Sequence, residues 1–351
     1  MINLISDLVS FKTVYPNYDE FDKCNNYIKD YFKNTNLIIK EYEQNNEKSL
    51  VIANNEEFEQ DIIFCGHLDV VPAEDDSMFS VKQIGNILYG RGVADMKGQD
   101  VVMMKIMKEL DTNKKVALFL TPDEERSGNG VKTLLEKGYT AKIGVIPDGG
   151  LNFQLVIEEK AVLTLKITAL GKECHSSRLW NGDNAIIKLY DIYNEIIQRY
   201  GNPKSEEDWK TSFNLAKIEG GNVFNMVPGN ALMYIDIRYI KDNTEEEIIE
   251  YIQNISKDIT VEVIHKGSIF YTDSNNEYIQ RYIESCEKIL GHKIKIIKAP
   301  AASDARFFTT NNIPCILSNA IGGNIHCIDE WIDLESLDKL FKIYKIFIES
   351  F

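Results

Sequence analysis

The segment Gly66-His67-Leu68-Asp69 ends an apolar run, 61–65, that reads as a buried strand. In an extended chain His67 and Asp69 point to the same side. That suits an imidazole giving one nitrogen to a metal while a carboxylate holds the other. His-x-Asp alone is more often an ordinary polar strand end. Four further segments carry acids or a histidine. Asp95 lies in GRGVADMKG, 90–98, just before a helix, where an aspartate also serves as an amino-terminal cap. Glu124 and Glu125 leave the apolar run 115–120 through Thr121-Pro122-Asp123. Asp148 follows the run 142–147 in Pro147-Asp148-Gly149-Gly150, which otherwise reads as a simple turn. His326 follows 313–317 through the stretch 319–325.

Each segment alone is a weak signal, but their shared placement is not. In an open parallel sheet the site lies outside the carboxyl ends of the strands. Four of the five segments follow predicted strands. Two imidazoles with several carboxylates suit zinc, and oxygen ligands leave positions open for water. Two ions ~3.5–4 Å apart need a bridging ligand, which a carboxylate can supply. Of the neighbouring Glu124 and Glu125, one can ligate while the other stays free as a base. A free carboxylate beside a divalent cation is what amide hydrolysis needs.

The elements that must position these groups are legible in outline. Helical patterns over 2–12, 20–33, 97–110, 128–137, 276–290 and 335–349 alternate with the strands. This predicts an α/β fold with an open, mainly parallel sheet and helices on both faces. The middle differs. Strands at 160–170, 211–220, 230–240 and 259–265, with helices at 183–199 and 244–256, give β-α-β-β-α-β, the ferredoxin-like unit. The expected organisation is a discontinuous catalytic domain, 1–159 and 269–351, with an inserted domain at 160–268.

Composition limits the alternatives. The chain has 351 residues and a formal net charge of −15. That acidity argues against a nucleic-acid or anionic-membrane surface, which needs clustered Lys and Arg. No stretch reaches the ~18 apolar residues of a membrane span. The first residues, with Asp7 inside an apolar run and no basic start, read as an amphipathic helix and not a signal peptide. Six scattered cysteines suit reduced thiols and a cytoplasmic location.

Taken together, the blocks resemble the co-catalytic zinc hydrolases that include aminoacylase, succinyl-diaminopimelate desuccinylase, acetylornithine deacetylase, glutamate carboxypeptidase and carnosinase-like peptidases. The blocks are Gly66–Pro72, Gly90–Gly98, Thr121–Gly128, Pro147–Gly150, Gly171–Ile187, Gly220–Arg238, Ser303–Phe308 and Asn324–Glu330. The resemblance implies two zinc ions, with cobalt or manganese able to take the same ligands. It implies His67 and Asp148 on one ion, Glu125 and His326 on the other, and Asp95 bridging both. Asp69 would orient His67, and Glu124 would be the general base. The Asp95–Met96 bond would be cis. The inserted domain would be a lid that often also makes a homodimer. His175 would stabilise the oxyanion, in its own or a neighbouring subunit's site. Asn225 and Arg238 would hold the substrate carboxylate, and Arg306 would add a contact. Arg238 also reads as one half of an exposed salt bridge. Three positions depart from the common pattern: Pro300-Ala301-Ala302 before Ser303, Leu179 after Arg178, and Gln99 after Gly98.

By the same resemblance, an aspartate at 148 is more typical of di- and tripeptidases, and a glutamate there of deacylases and some carboxypeptidases; the expected activity is that of a di- or tripeptidase or a carboxypeptidase acting on small peptides. The segments Ser303–Phe308 and His326–Trp331 look closer to deacylases of N-acyl amino acids. A catalytically inactive scaffold of this fold is the remote alternative. A thiol hydrolase is another, because Cys174-His175 and His326-Cys327 are adjacent pairs, although such neighbours rarely face each other as nucleophile and base. Cys65 reads as buried packing.

Overall fold

A computed structural model describes residues 1–205 and 207–351. The chain divides into two compact units. One comprises Met1–Glu158, Phe270–Ala299 and Ser303–Phe351; the other comprises Glu159–Ile269 with Pro300–Ala302.

The first unit is built on a nine-stranded sheet. Its centre is parallel, in the order Val116–Thr121, Glu59–His67, Thr140–Ile146 and Cys315–Leu317. The flanks are antiparallel. Glu47–Ala53 and Ile38–Gln44 extend one side, and Leu155–Glu159 adds to the other. The sequence patterns do not reveal the hairpin at 38–53. Its outer strand, Ile-Ile-Lys-Glu-Tyr-Glu-Gln, is exposed or half-buried throughout and shows no clean alternation. Its turn is nonetheless encoded. Asn45 and Asn46 have φ of 55° and 65°, the left-handed pair that a tight hairpin turn favours.

Alternation along the central strands splits the core in two. Ile62 and Phe64 pack with helices Ile2–Ser10, Tyr18–Phe32, Lys97–Lys108, Glu277–Leu290 and Leu334–Glu349. Ile63 and Cys65 pack on the other face with Asn129–Glu136 and Ala305–Thr310. The sheet is therefore covered on both faces, as the alternation of strands and helices predicts. Cys65 is buried beside Phe119 and Cys315, and burial pushes its thiol well above the ordinary range. It is packing, not a nucleophile.

Because the central strands are parallel, their carboxyl ends lie on one edge. His67 stands in register with Thr121, the last residue of its neighbour. Gly66 lets this edge close. A Cβ there would lie 2.0 Å from an Asp100 carboxylate oxygen.

A second sheet in this unit escapes the sequence patterns. Gly322–Gly323, Trp331–Asp333, Ile87–Tyr89 and Lys82–Ile84 pair antiparallel in that order. Strands of two or three residues carry no readable period. This small sheet pairs Trp331 with Tyr89, so the segment after Tyr89 runs beside the segment before Trp331. His326 thus issues from the small sheet, and not directly from the central strand Cys315–Leu317.

The second unit is a four-stranded antiparallel sheet in the order Ser212–Gly220, Asn230–Tyr239, Ala161–Leu170 and Ile259–Lys266. Helices Ala185–Tyr200 and Glu245–Ile255 complete the order β-α-β-β-α-β. Leu163, Leu165, Ile167, Met233, Ile235 and Ile237 alternate inward to form its core. A capping box, Thr244 with Glu247, starts the second helix. Among the described residues no helix is long and apolar enough to cross a membrane.

Candidate metal centre

His67, at the end of its strand, is nearly fully buried. Its Nδ1 lies 3.0 Å from the backbone carbonyl of Asp69 and 3.4 Å from Asp69 Oδ1. Nδ1–H donates to that carbonyl, so Nε2 presents its lone pair outward. The Asp69 carboxylate has a second task. It accepts the backbone N–H of Glu124 at 3.2 Å and of Glu125 at 3.0 Å. Asp69 thus orients His67 chiefly through its backbone, and its side chain fixes the turn that carries the two glutamates.

The three adjacent acids of that turn divide the work. Asp123 is buried and faces inward. Its carboxylate accepts from Ser127 Oγ, Asn129 N and Gly130 N at 2.6–2.9 Å, which starts helix Asn129–Glu136. The turn passes Gly128 at φ 67°, where a Cβ would lie 2.2 Å from Asp304 Oδ1. Glu124 and Glu125 are left to face the strand ends.

Asp95 lies between the two histidines. Its Oδ1 is 3.0 Å from His67 Nε2, and its Oδ2 is 3.1 Å from His326 Nε2. Asp148 Oδ1 is 3.8 Å from His67 Nε2, and Glu125 Oε1 is 3.0 Å from His326 Nε2. The Asp95–Met96 peptide is cis, as the resemblance implies. Two sets of side chains have ligand atoms within 4.8 Å of one another: His67, Glu124 and Asp148, and Asp95, Glu125 and His326. The ligand candidates read from the sequence therefore converge at one edge of the sheet, with Glu124 among them.

An imidazole lone pair at 3.0 Å from a carboxylate oxygen is repulsive unless a cation or proton lies between them. This donor set fits a divalent metal. The same charges set the proton affinities. Hydrogen bonds to Asp95 and Glu125 raise His326 to about 10. Burial opposes protonation of His67, but Asp148, Asp69 and Asp95 outweigh it and hold it well above the ordinary value. Burial works to raise Asp95, and the two imidazoles outweigh it and hold its carboxyl below the usual range. Burial, then the charges of Asp148 and Asp304, push Glu124 well up.

The sign of the pH dependence follows. In metal-depleted protein the His326 pairing stabilises fully below 6.5, its unperturbed value, and is lost as pH rises through about 10. A metal competes for the same nitrogen, so its affinity should run the opposite way and climb across that window. Calorimetric titration with zinc in buffers of different ionisation enthalpy should show proton release at the lower pH. Affinity independent of pH, with no proton release, would overturn this.

Glu330 is the functional residue that sequence patterns missed. Its carboxylate is almost fully buried and accepts Arg91 Nη1, Gly92 N, Ala94 N and Asp95 N at 2.8–3.2 Å. Its only signal in the sequence was its place at the end of the His326 block. Gln99, where a second glycine is common, donates to the Ala94 carbonyl at 2.8 Å and to Asn319 Oδ1.

The remaining expected residues lie elsewhere. His175, Asn225 and Arg238 belong to the second unit. His175 is exposed, and its Nδ1 accepts the Ser177 backbone N–H at 3.2 Å. That leaves the proton of the neutral ring on Nε2, as a donor. Ser176 N donates to the Asn225 carbonyl at 3.0 Å, and Val227 N to the Cys174 carbonyl at 2.8 Å, so His175 and Asn225 are neighbours. Arg238 is not with them. It pairs with Asp236 at 3.1 Å and lies opposite Val162, whereas Asn230 lies opposite Leu170. Asn230 to Arg238 spans about 26 Å at roughly 3.3 Å per residue. Asn225, which lies before the Asn230 end, and Arg238 of one chain are therefore set toward opposite ends of this strand. Arg306 lies in the first unit and donates to the carbonyls of Ser303, at 2.9 Å, and Ser127, at 3.4 Å.

Histidines and carboxylates gathered at the carboxyl edge of an open sheet form a candidate metal centre where such sheets place their sites. The chain belongs to peptidase family M20/M25/M40, whose model matches residues 63–350. It is thus a zinc-dependent hydrolase of the amidohydrolase and metallopeptidase class. It is 27% identical over 397 aligned positions to a probable succinyl-diaminopimelate desuccinylase of Staphylococcus aureus strain N315, covering 98% of this chain and 95% of that protein. Aminopeptidase PepT from Bacillus cereus shares the fold with a TM-score of 0.77 at 18% identity, over 99% of this chain and 97% of that one. An M20 family metallo-carboxypeptidase from Sulfolobus solfataricus does so with a TM-score of 0.71 at 17% identity, over 99% and 98% of the two chains.

Proposed function

We propose that this chain binds two zinc ions and hydrolyses an amide bond next to a free carboxylate in a short peptide. The observation that carries this reading is Asp95, with one oxygen toward His67 and the other toward His326. The two groups of candidate ligands, His67 with Glu124 and Asp148 and Asp95 with Glu125 and His326, support a pair of ions. His67 and Asp148 would hold one ion, Glu125 and His326 the other, and Asp95 both. Cobalt or manganese fits the same donors. When bound, such ions supply an activated water and polarise the scissile carbonyl.

The chain's own side chains do the rest. Glu124 takes a proton from the attacking water and passes it to the leaving amine. A carboxyl whose affinity for protons is raised is suited to that exchange. His175 Nε2–H donates to the oxyanion as charge develops. Asn225 and Arg238 bind the substrate carboxylate, and Arg306, with two donors already committed, contributes a further contact. The placement of Asn225 before one end of the strand Asn230–Tyr239 and of Arg238 near its other end favours a homodimer joined through the inserted domain. In it His175 and Asn225 of one chain would serve a site with Arg238 of the other. Mixing equal amounts of His175→Ala and Arg238→Ala chains should then restore about a quarter of wild-type activity, one intact site per hybrid dimer at random pairing. Mixtures no more active than the parents would sink the shared site. Six free cysteines support a cytoplasmic location.

N-acyl-amino-acid deacylation is the second reading. It draws support from the 27% identity to proteins named as probable desuccinylases. Comparing kcat/KM for di- and tripeptides with N-acetyl and N-succinyl amino acids separates the two. Peptides should lead, and a panel in which only acylated amino acids are cleaved would reverse the order.

A further inference from the structure

We infer that Glu330 and Arg91 form one positioning clamp that sets Asp95 and His326 at metal-binding distance. The inference rests on the two-ion reading above and goes beyond its ligands. Asp95 and His326 sit on loops that are far apart in sequence and joined at their bases by the small sheet. The clamp ties the loops together above that base. Two carboxylate oxygens of Glu330 take four donors, all from the segment that ends in Asp95: Arg91 Nη1 at 2.8 Å, Gly92 N at 3.0 Å, Ala94 N at 3.0 Å and Asp95 N at 3.2 Å. The other arm of Arg91, Nη2, donates to the His326 carbonyl at 3.1 Å. One guanidinium thus spans both loops, a task for which its planar fork is suited.

The His326 loop turns sharply: His326 has φ 66° and Asn324 φ 54°, left-handed values that are uncommon outside glycine. Asn324 Nδ2 binds Asp329 Oδ2 at 2.8 Å, and Cys327 N binds the Asn324 carbonyl at 2.9 Å, which shapes the loop internally. Arg91 supplies the link to the Asp95 side. Neither Glu330 nor Arg91 is among the proposed ligands, so their effect on the centre is indirect. The ion held by Glu125 and His326 depends on this register most, because its ligands come from both sides of the clamp. The ion held by His67 and Asp148 shares Asp95 with it, but takes its other two ligands from the ends of the central strands.

The test uses full-length Glu330→Gln and Arg91→Lys. Gln offers one acceptor where the carboxylate offers two, and its amide NH2 would face N–H donors. A lysine ammonium reaches Glu330 or the His326 carbonyl, but not both. Each variant should bind the ion at Glu125 and His326 about 10–100-fold more weakly, as loss of a ligand's supporting partner does, and the other ion with a smaller loss. In cobalt-loaded protein the absorption from one of the two equivalents should weaken or shift. Turnover at saturating metal should fall more than KM changes. Hydrogen exchange at Gly92, Ala94 and Asp95 should quicken in the metal-depleted Glu330→Gln protein. If Glu330→Gln does not fold, Arg91→Lys carries the metal and cobalt measurements. A folded variant with both ions at wild-type affinity and unchanged exchange would overturn the clamp. A wild-type chain that takes up fewer than two ions would instead defeat the two-ion reading, and amide exchange would still decide the clamp.

Discussion

Glu124→Gln should lower kcat by about 10²–10⁴-fold, the usual contribution of a positioned general base. It should leave both metal ions in place. The amide is nearly isosteric with the carboxyl but cannot take a proton from water at working pH. The turn itself should survive, because Asp69 holds it through the backbone N–H groups of Glu124 and Glu125. Metal content measured beside turnover makes the test sharp. Glu124 lies close enough to His67 and Asp148 to be a ligand in its own right. If it were one, the substitution would strip an ion along with activity. Lost turnover with full metal identifies a base. Lost turnover with lost metal identifies a ligand, and unchanged turnover removes Glu124 from the reaction.

Asp95→Asn should be more damaging to the centre. Each carboxylate oxygen of Asp95 faces a different imidazole. Asparagine keeps one oxygen and turns an NH2 toward the other ring, so both ions lose a negatively charged ligand or gain a repelled one. Affinity for both should fall by more than about 100-fold, beyond the roughly 10–100-fold typical of groups that only support a ligand. Activity should become undetectable at ordinary metal concentration. Asp148→Asn and Glu125→Gln are the controls, and each should weaken one ion and spare the other. Competition with a chelator of known affinity reads all three. An Asp95→Asn protein that still holds two tight ions would show that the two halves of the centre do not share this residue.

Burial patterns explain why the centre was easier to read than the frame around it. His67, Glu124, Glu125 and Asp148 each follow an apolar run that forms a central strand. Those runs are buried on both faces by helices, so nearly every residue in them is apolar. The acids and the histidine stand out where the runs stop. The ferredoxin-like unit was legible for the complementary reason. One of its faces is more open to solvent, and Ala161–Leu170 alternates between buried positions and half-buried or exposed ones.

What the sequence determined by itself was local: apolar runs that must become strands, amphipathic stretches that must become helices, and polar groups at strand ends. These follow from side-chain period and burial, which a chain carries residue by residue. What only the tertiary structure decided was which distant segments meet. His326 meets Glu125 across 201 positions, and Arg91 meets Glu330 across 239. Glu330 binds mostly backbone N–H groups, and any residue but proline presents those, so its partners leave no mark on the sequence.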